Sequence, residues 1–168
     1  MQKSTSTAMR KEHPYSTLQL TALVTLRVLI GWHFLYEGFA KVFNADWTAA
    51  SFLLDSKGPF SSLFIAMAQN DQILSFVNMS NKFGLIAIGL GLILGAMTQV
   101  AGLSAVLLLA LYYFATPPFI GYMYSVPMEG SYIIVNKNMV EAFAIIVLMV
   151  FPTGRIIGLD RLLFPRKS

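Results

Sequence analysis

Long apolar runs broken by short polar punctuation set the architecture of this chain. A polar, basic stretch through residue 17 gives way to an apolar segment from Leu18 to Phe43, which Asn44, Ala45, Asp46 and Trp47 end. Residues 44–80 alternate apolar runs too short to span with Lys57-Gly58-Pro59 and Gln69-Asn70-Asp71. From Phe83 to Phe114 the chain carries no charge, and Gly95-Ala96-Met97-Thr98-Gln99 interrupts it midway. Thr116-Pro117-Pro118 closes that stretch, since consecutive prolines cannot continue a helix. A Gly-, Pro- and Tyr-rich connection follows, and a last apolar segment runs from Asn138 to Ile157, bent or ended early by Pro152 and Gly154. A bilayer core of about 30 Å needs roughly 20 apolar residues per helix. The pattern therefore predicts an all-α membrane protein, a four-helix transmembrane bundle with spans near residues 18–43, 75–96, 99–116 and 138–157. Short interfacial helices are expected in the long first connection. The domain limits follow: a tail over 1–17, one transmembrane domain over 18–158, and a basic tail over 159–168.

Composition agrees. The chain is 56% hydrophobic and 12% charged, where a soluble domain carries about a quarter charged residues. Of the twelve Lys and Arg, seven sit at the two ends: Lys3, Arg10, Lys11, Arg155, Arg161, Arg166 and Lys167. That distribution follows the positive-inside rule and puts both termini in the cytoplasm. It also turns the net charge of +4 away from nucleic acid and toward the lipid bilayer as partner. The first apolar stretch exceeds a signal-peptide core and contains Arg27, so it reads as an uncleaved span. With no cysteine and only His13 and His33, iron–sulfur clusters, thiolate zinc sites and disulfide chemistry are excluded, and no haem or other metal site is predicted.

The charges that remain inside the apolar segments are the candidate chemistry. Arg27, Glu37 and Lys41 lie on the first segment and Glu141 on the last. At helical spacing His33, Glu37 and Lys41 share a face, drifting by about 40° per step, with Arg27, Gly31 and Gly38 on the adjoining face. Buried charge is expensive in a bilayer, so this stripe faces protein or a cavity. Glu37, Lys41 and Glu141 are expected to meet in the outward half of the bundle as catalytic groups. Arg27, His33, Tyr36, Trp47, Tyr112 and Tyr113 are the candidate substrate- or cofactor-binding residues, with Trp47 also an interface anchor. The bland alternative is a set of structural ion pairs that fix helix register; Glu37 and Lys41 have intrahelical spacing, whereas Glu141 is expected to have no basic partner on its own helix. Gly84, Gly91 and Gly95 fall on one side of their helix and predict a close-packing face, inside the bundle or between protomers.

The ordered set Arg27-x₃-Gly31-x₆-Gly38-x₂-Lys41, Trp47-Thr48-Ala49-Ala50 and Gly154-Arg155-x₃-Leu159-Asp160 resembles the DoxX/DoxD family of small bacterial four-helix membrane proteins. The run Gly89-Leu90-Gly91-Leu92-Ile93-Leu94-Gly95 adds to the likeness, which covers most of the chain. The resemblance implies a multi-pass protein of the bacterial cytoplasmic (inner) membrane and a thiosulfate:quinone oxidoreductase-like activity, with a quinone as the bound organic carrier. A partner redox subunit is implied too. Arg27, Gly31, Gly38 and Lys41 match the first-helix positions, and Gly154, Arg155 and Asp160 the terminal ones. Relatives often carry a Glu near the start of the second helix, where this chain has Leu85; Glu37 or Glu141 would have to replace it.

Three functions fit this reading. The first is a quinone-linked redox component, needing apolar walls and a few proton donors. The second is a non-catalytic module that binds or transports a zwitterion or lipid headgroup between carboxylate and amine. The third is a scaffold subunit or homo-oligomer whose glycine face and basic tails make the contacts.

Overall fold

A computed structural model of the protein describes residues 15–125 and 133–164. The basic residues Lys3, Arg10, Lys11, Arg166 and Lys167, and His13, lie outside the described residues. The element order is all-helical: α1 (Thr17–Phe43), α2 (Ala50–Leu54), α3 (Ser61–Gln69), α4 (Asp71–Leu94), α5 (Thr98–Ala115), α6 (Lys137–Val150) and α7 (Asp160–Leu163), with a 3-10 turn over Thr153–Arg155. Among the described residues α1, α4 and α5 are long and apolar enough to cross a membrane, which makes this a membrane protein. Short helices are expected in the first connection, and α2 and α3 are found there.

Local chemistry explains the boundaries. Ser16 and Gln19 form a reciprocal capping box at the start of α1, with Ser16 Oγ accepting from Gln19 N at 3.2 Å and Gln19 Oε1 accepting from Ser16 N at 2.8 Å. The polar Gln69-Asn70-Asp71 is the junction of two helices and not a loop: Gln69 ends α3, and Asn70 caps the start of α4. Asn70 Oδ1 accepts from Gln72 N and Ile73 N at 3.1 Å each, so α4 begins four residues before the expected Ser75. Gly95 ends α4 in the left-handed region, at φ 65°, as a helix C-terminus favours. At the other end of the chain, α6 stops at Val150, short of the expected 157, because Pro152 cannot donate to a continuing helix.

The helices join in a ring of contacts. α1 packs antiparallel on α4, α4 turns tightly into α5, α5 packs on α6, and α6 touches α1 along a shorter stretch. A core of Ile30, Phe34, Leu85, Ile88, Leu92, Ala105, Leu109, Ile145 and Leu148 fills the centre. A second cluster around Ala49, Leu53, Phe64 and Ala115 seats α2 and α3 on the bundle. The closest approach of α1 and α4 runs through Gly31, Gly38 and Gly89: a Cβ on Gly89 would stand 2.6 Å from Leu35 N and 2.7 Å from Gly31 O. The predicted face of Gly84, Gly91 and Gly95 is therefore not one seam. A Cβ on Gly84 would meet nothing within 4 Å among the described residues, Gly91 abuts Ala101, and Gly95 caps its helix against Gly158.

Candidate functional site

Two polar constellations occupy opposite ends of the bundle. At the end where α4 turns into α5, the C-terminal segment closes over the turn. Asp160, buried, accepts from Met97 N (2.5 Å), Thr98 N (3.0 Å) and Thr98 Oγ1 (2.5 Å). It thereby caps α5, whose own N-cap position, Met97, offers no side-chain acceptor. Leu159 N and Asp160 N donate in turn to Leu94 O and Gly95 O. Gly154 must lack a side chain here, since its Cβ would press to 2.7 Å from Asp160 Oδ2 and 2.8 Å from Thr98 Cγ2. Residues 159–160 are thus part of the packed domain and not of a tail.

Arg27 belongs to this clasp. Its guanidinium is buried, donating to Thr153 Oγ1 at 3.0 Å and Ile157 O at 2.8 Å, and it ties α1 to the C-terminal segment. Its Nε is buried with no hydrogen-bond partner among the described residues, beside a void of about 10 Å³. Arg27 therefore lies apart from the cavity where a binding role was expected. Arg155, matched to the terminal motif, is exposed.

The other constellation is a cavity of about 120 Å³ between α1, α4, α5 and α6, lined by His33, Phe34, Glu37, Lys41, Leu85, Leu109, Tyr112, Lys137, Asn138 and Glu141. The stripe His33, Glu37, Lys41 faces it as the helical spacing predicts. Lys41 Nζ donates to Glu37 Oε2 at 2.5 Å and to Glu37 O at 3.2 Å, the expected i,i+4 pair. Glu141 is held by a different group: its Oε1 lies 2.7 Å from His33 Nδ1, a link between α1 and α6. The expected trio of Glu37, Lys41 and Glu141 is thus two pairs on one wall, each with an acid and a base.

Not every candidate reaches this cavity. Tyr112 does, and its hydroxyl accepts from Asn81 Nδ2 at 2.6 Å while Phe52 meets its ring edge-on at 5.6 Å. Tyr113, one residue on and about 100° around the helix, turns away; its hydroxyl donates to Ile134 O at 2.8 Å. Tyr36 is largely exposed on the outer face of α1. Trp47 sits near the rim beneath Lys41, whose Nζ is 5.6 Å from the ring centre. Two polar lining residues were not singled out from the sequence, Lys137 and Asn138. Lys137 stands one turn before Glu141 on α6, so Glu141 does have a basic residue at helical spacing; the spacing was readable, but Lys137 reads there as a loop residue.

Geometry and composition together define a class: an α-helical membrane protein with a charged interhelical cavity near one end of its bundle. Comparison of the chain with family models, curated proteins and solved structures returns no match. The cavity's own chemistry must carry the functional reading.

Proposed function

We propose that the protein is a DoxX/DoxD-like component of a quinone-linked oxidoreductase in the bacterial cytoplasmic membrane, with four spans and both termini cytoplasmic. The observation that carries this reading is the pair of acid–base couples, His33–Glu141 and Glu37–Lys41, on the wall of one cavity whose other walls are Phe34, Leu85, Leu109 and Tyr112. A flat, apolar ring with carbonyl oxygens at its edge suits such walls. At about 120 Å³ the cavity holds a ring and no more, where pockets for whole ligands run to about 300–1,000 Å³, so an attached tail would stay in the bilayer. α6 supports the fourth span: apolar from Met139 to Val150 apart from Glu141, it runs back along α5, with Met149 close to Gly102.

A quinone supplies an electron-pair acceptor that takes up protons as it is reduced. The chain's residues handle the protons and the orientation. Glu141 fixes the His33 ring through Nδ1 and leaves Nε2 for a ligand oxygen. Lys41, held by Glu37, offers N–H donors, and Tyr112, fixed by Asn81 and Phe52, offers a hydroxyl at the inner wall. Leu85 leaves this wall without the carboxylate of relatives, and Glu141 supplies one from α6. The electrons enter from a sulfur or organic donor through a partner subunit.

The test is purification in lipid nanodiscs, with assay of bound quinone and of quinone-dependent oxidation of thiosulfate. Glu141→Gln, near-isosteric, is expected to lower the rate by about 10²-fold, the scale of one general acid–base group, with unchanged thermal unfolding. A parent protein with neither bound quinone nor quinone-dependent turnover would overturn the reading. The small, charge-balanced cavity also favours a second reading, a non-catalytic binding module for a zwitterionic headgroup. Ligand density bridging Glu37, Lys41 and Glu141 with no ring would establish it.

A further inference from the structure

One cation near the cavity's mouth is absorbed by neither pair. Lys82, on α4, has no carboxylate partner among the described residues. Its Nζ lies 5.4 Å from the centre of the Trp47 ring, and Lys41 Nζ lies 5.6 Å from the same centre. Two ammonium groups thus share one indole, whose electron-rich faces relieve but do not cancel their repulsion.

The indole is held there. Asn78, one turn before Lys82 on α4, accepts from Ala49 N at 2.8 Å through Oδ1 and donates to Thr48 Oγ1 at 3.1 Å through Nδ2. These bonds pin the corner that carries Trp47 onto α4, and Trp47 packs on the Ala49–Leu53–Phe64 cluster. The corner holds Lys41 balanced by Glu37 and Lys82 with no carboxylate, Asp46 included, within ion-pair distance among the described residues. It stands where α1 ends and the chain leaves its apolar segment, the level at which Trp meets lipid headgroups.

We propose that Lys82, Lys41 and the Trp47 corner form a binding site for the phosphodiester of an anionic phospholipid, seated against the helix bundle at this membrane face. The phosphate oxygens would lie between the two ammonium groups and the acyl chains would run along the exposed apolar surface of α1 and α4. This site shares Lys41 with the wall of the His33–Glu141 cavity, while Lys82 and Trp47 stand outside that lining, and its test reads lipid contact and not quinone chemistry.

Fluorescence of Trp47 tests it, in a Trp32→Phe background that leaves one indole. The protein is placed in nanodiscs of phosphatidylcholine containing a minor share of either phosphatidylglycerol or phosphatidylcholine brominated near the headgroup end of its chains. Brominated phosphatidylglycerol is expected to quench Trp47 at about fivefold lower content than brominated phosphatidylcholine, the preference one lysine near an anionic lipid is worth. Lys82→Gln should abolish that preference and Lys82→Arg should retain it, both with unchanged helicity and thermal unfolding. Equal quenching by both lipids in the parent, or an undiminished preference in Lys82→Gln, overturns the proposal. Relief of quenching by added inorganic phosphate at constant ionic strength would assign the site to free phosphate and also overturn it.

Discussion

Gly89→Val is expected to unfold the bundle at temperatures where the parent is intact. A Cβ at this position would meet Leu35 N at 2.6 Å, Gly31 O at 2.7 Å and Leu35 Cα at 2.8 Å. All three are backbone atoms of a facing helix, so no rotamer change relieves the overlap, and α1 and α4 must part. Their separation loosens Ile30, Phe34, Leu85, Ile88 and Leu92 together, because these fill the core along the same seam. Overpacking typically costs about 1–3 kcal/mol, and more where only backbone can give way, a large share of a typical stability of about 5–15 kcal/mol. Thermal unfolding followed by circular dichroism in mild detergent measures it. Gly84→Ala on the same helix is the control: it meets nothing within 4 Å, and Ala in a helix gains about 0.5–1 kcal/mol over Gly. If both variants melt alike, the seam does not set stability.

Asp160→Ala should have the second-largest effect. It removes one carboxylate that accepts from two backbone amides and a hydroxyl at the start of α5. The amide of Thr98 is then left without its acceptor in a buried setting. Hydrogen bonds to a charged group are worth about 1.5–3 kcal/mol each, so a loss of about 3 kcal/mol is a conservative expectation. Below its melting temperature the variant should bind cavity ligands as the parent does, because Asp160 lies at the opposite end of the bundle from His33 and Glu141. A folded Asp160→Ala protein that has lost cavity binding would instead show that the two ends act as one unit.

These two variants also mark how far the sequence alone could be read. The three long helices were legible because apolar length and the Gly95 interruption are one-dimensional signals. The stripe of His33, Glu37 and Lys41 was legible too, since helical spacing alone decides which residues share a face. What could not be read is which partner that face meets. His33 pairs with Glu141 across 108 residues of chain, and Lys137 joins the same wall because α6 begins one residue earlier than its apolar run. Gly89 is hidden for the opposite reason: Gly84, Gly91 and Gly95 make the more regular pattern, yet only contact with α1 makes a glycine necessary. Arg27 shows the same limit. Its depth in the first segment signalled an internal partner, but Thr153 and Ile157, which receive it, come from a turn that has no helical period.

The clasp over the α4–α5 turn has a bearing on how the protein is made. Ribosomes deliver the chain from its N-terminus, and α1 and α4 can zip their glycine seam long before residue 160 emerges. Until it does, Arg27 lacks its two acceptors and α5 starts without a cap. The C-terminal segment therefore locks the first helix only after the other helices have been made, and a chain lacking it leaves the Arg27 guanidinium and the first amides of α5 without these acceptors.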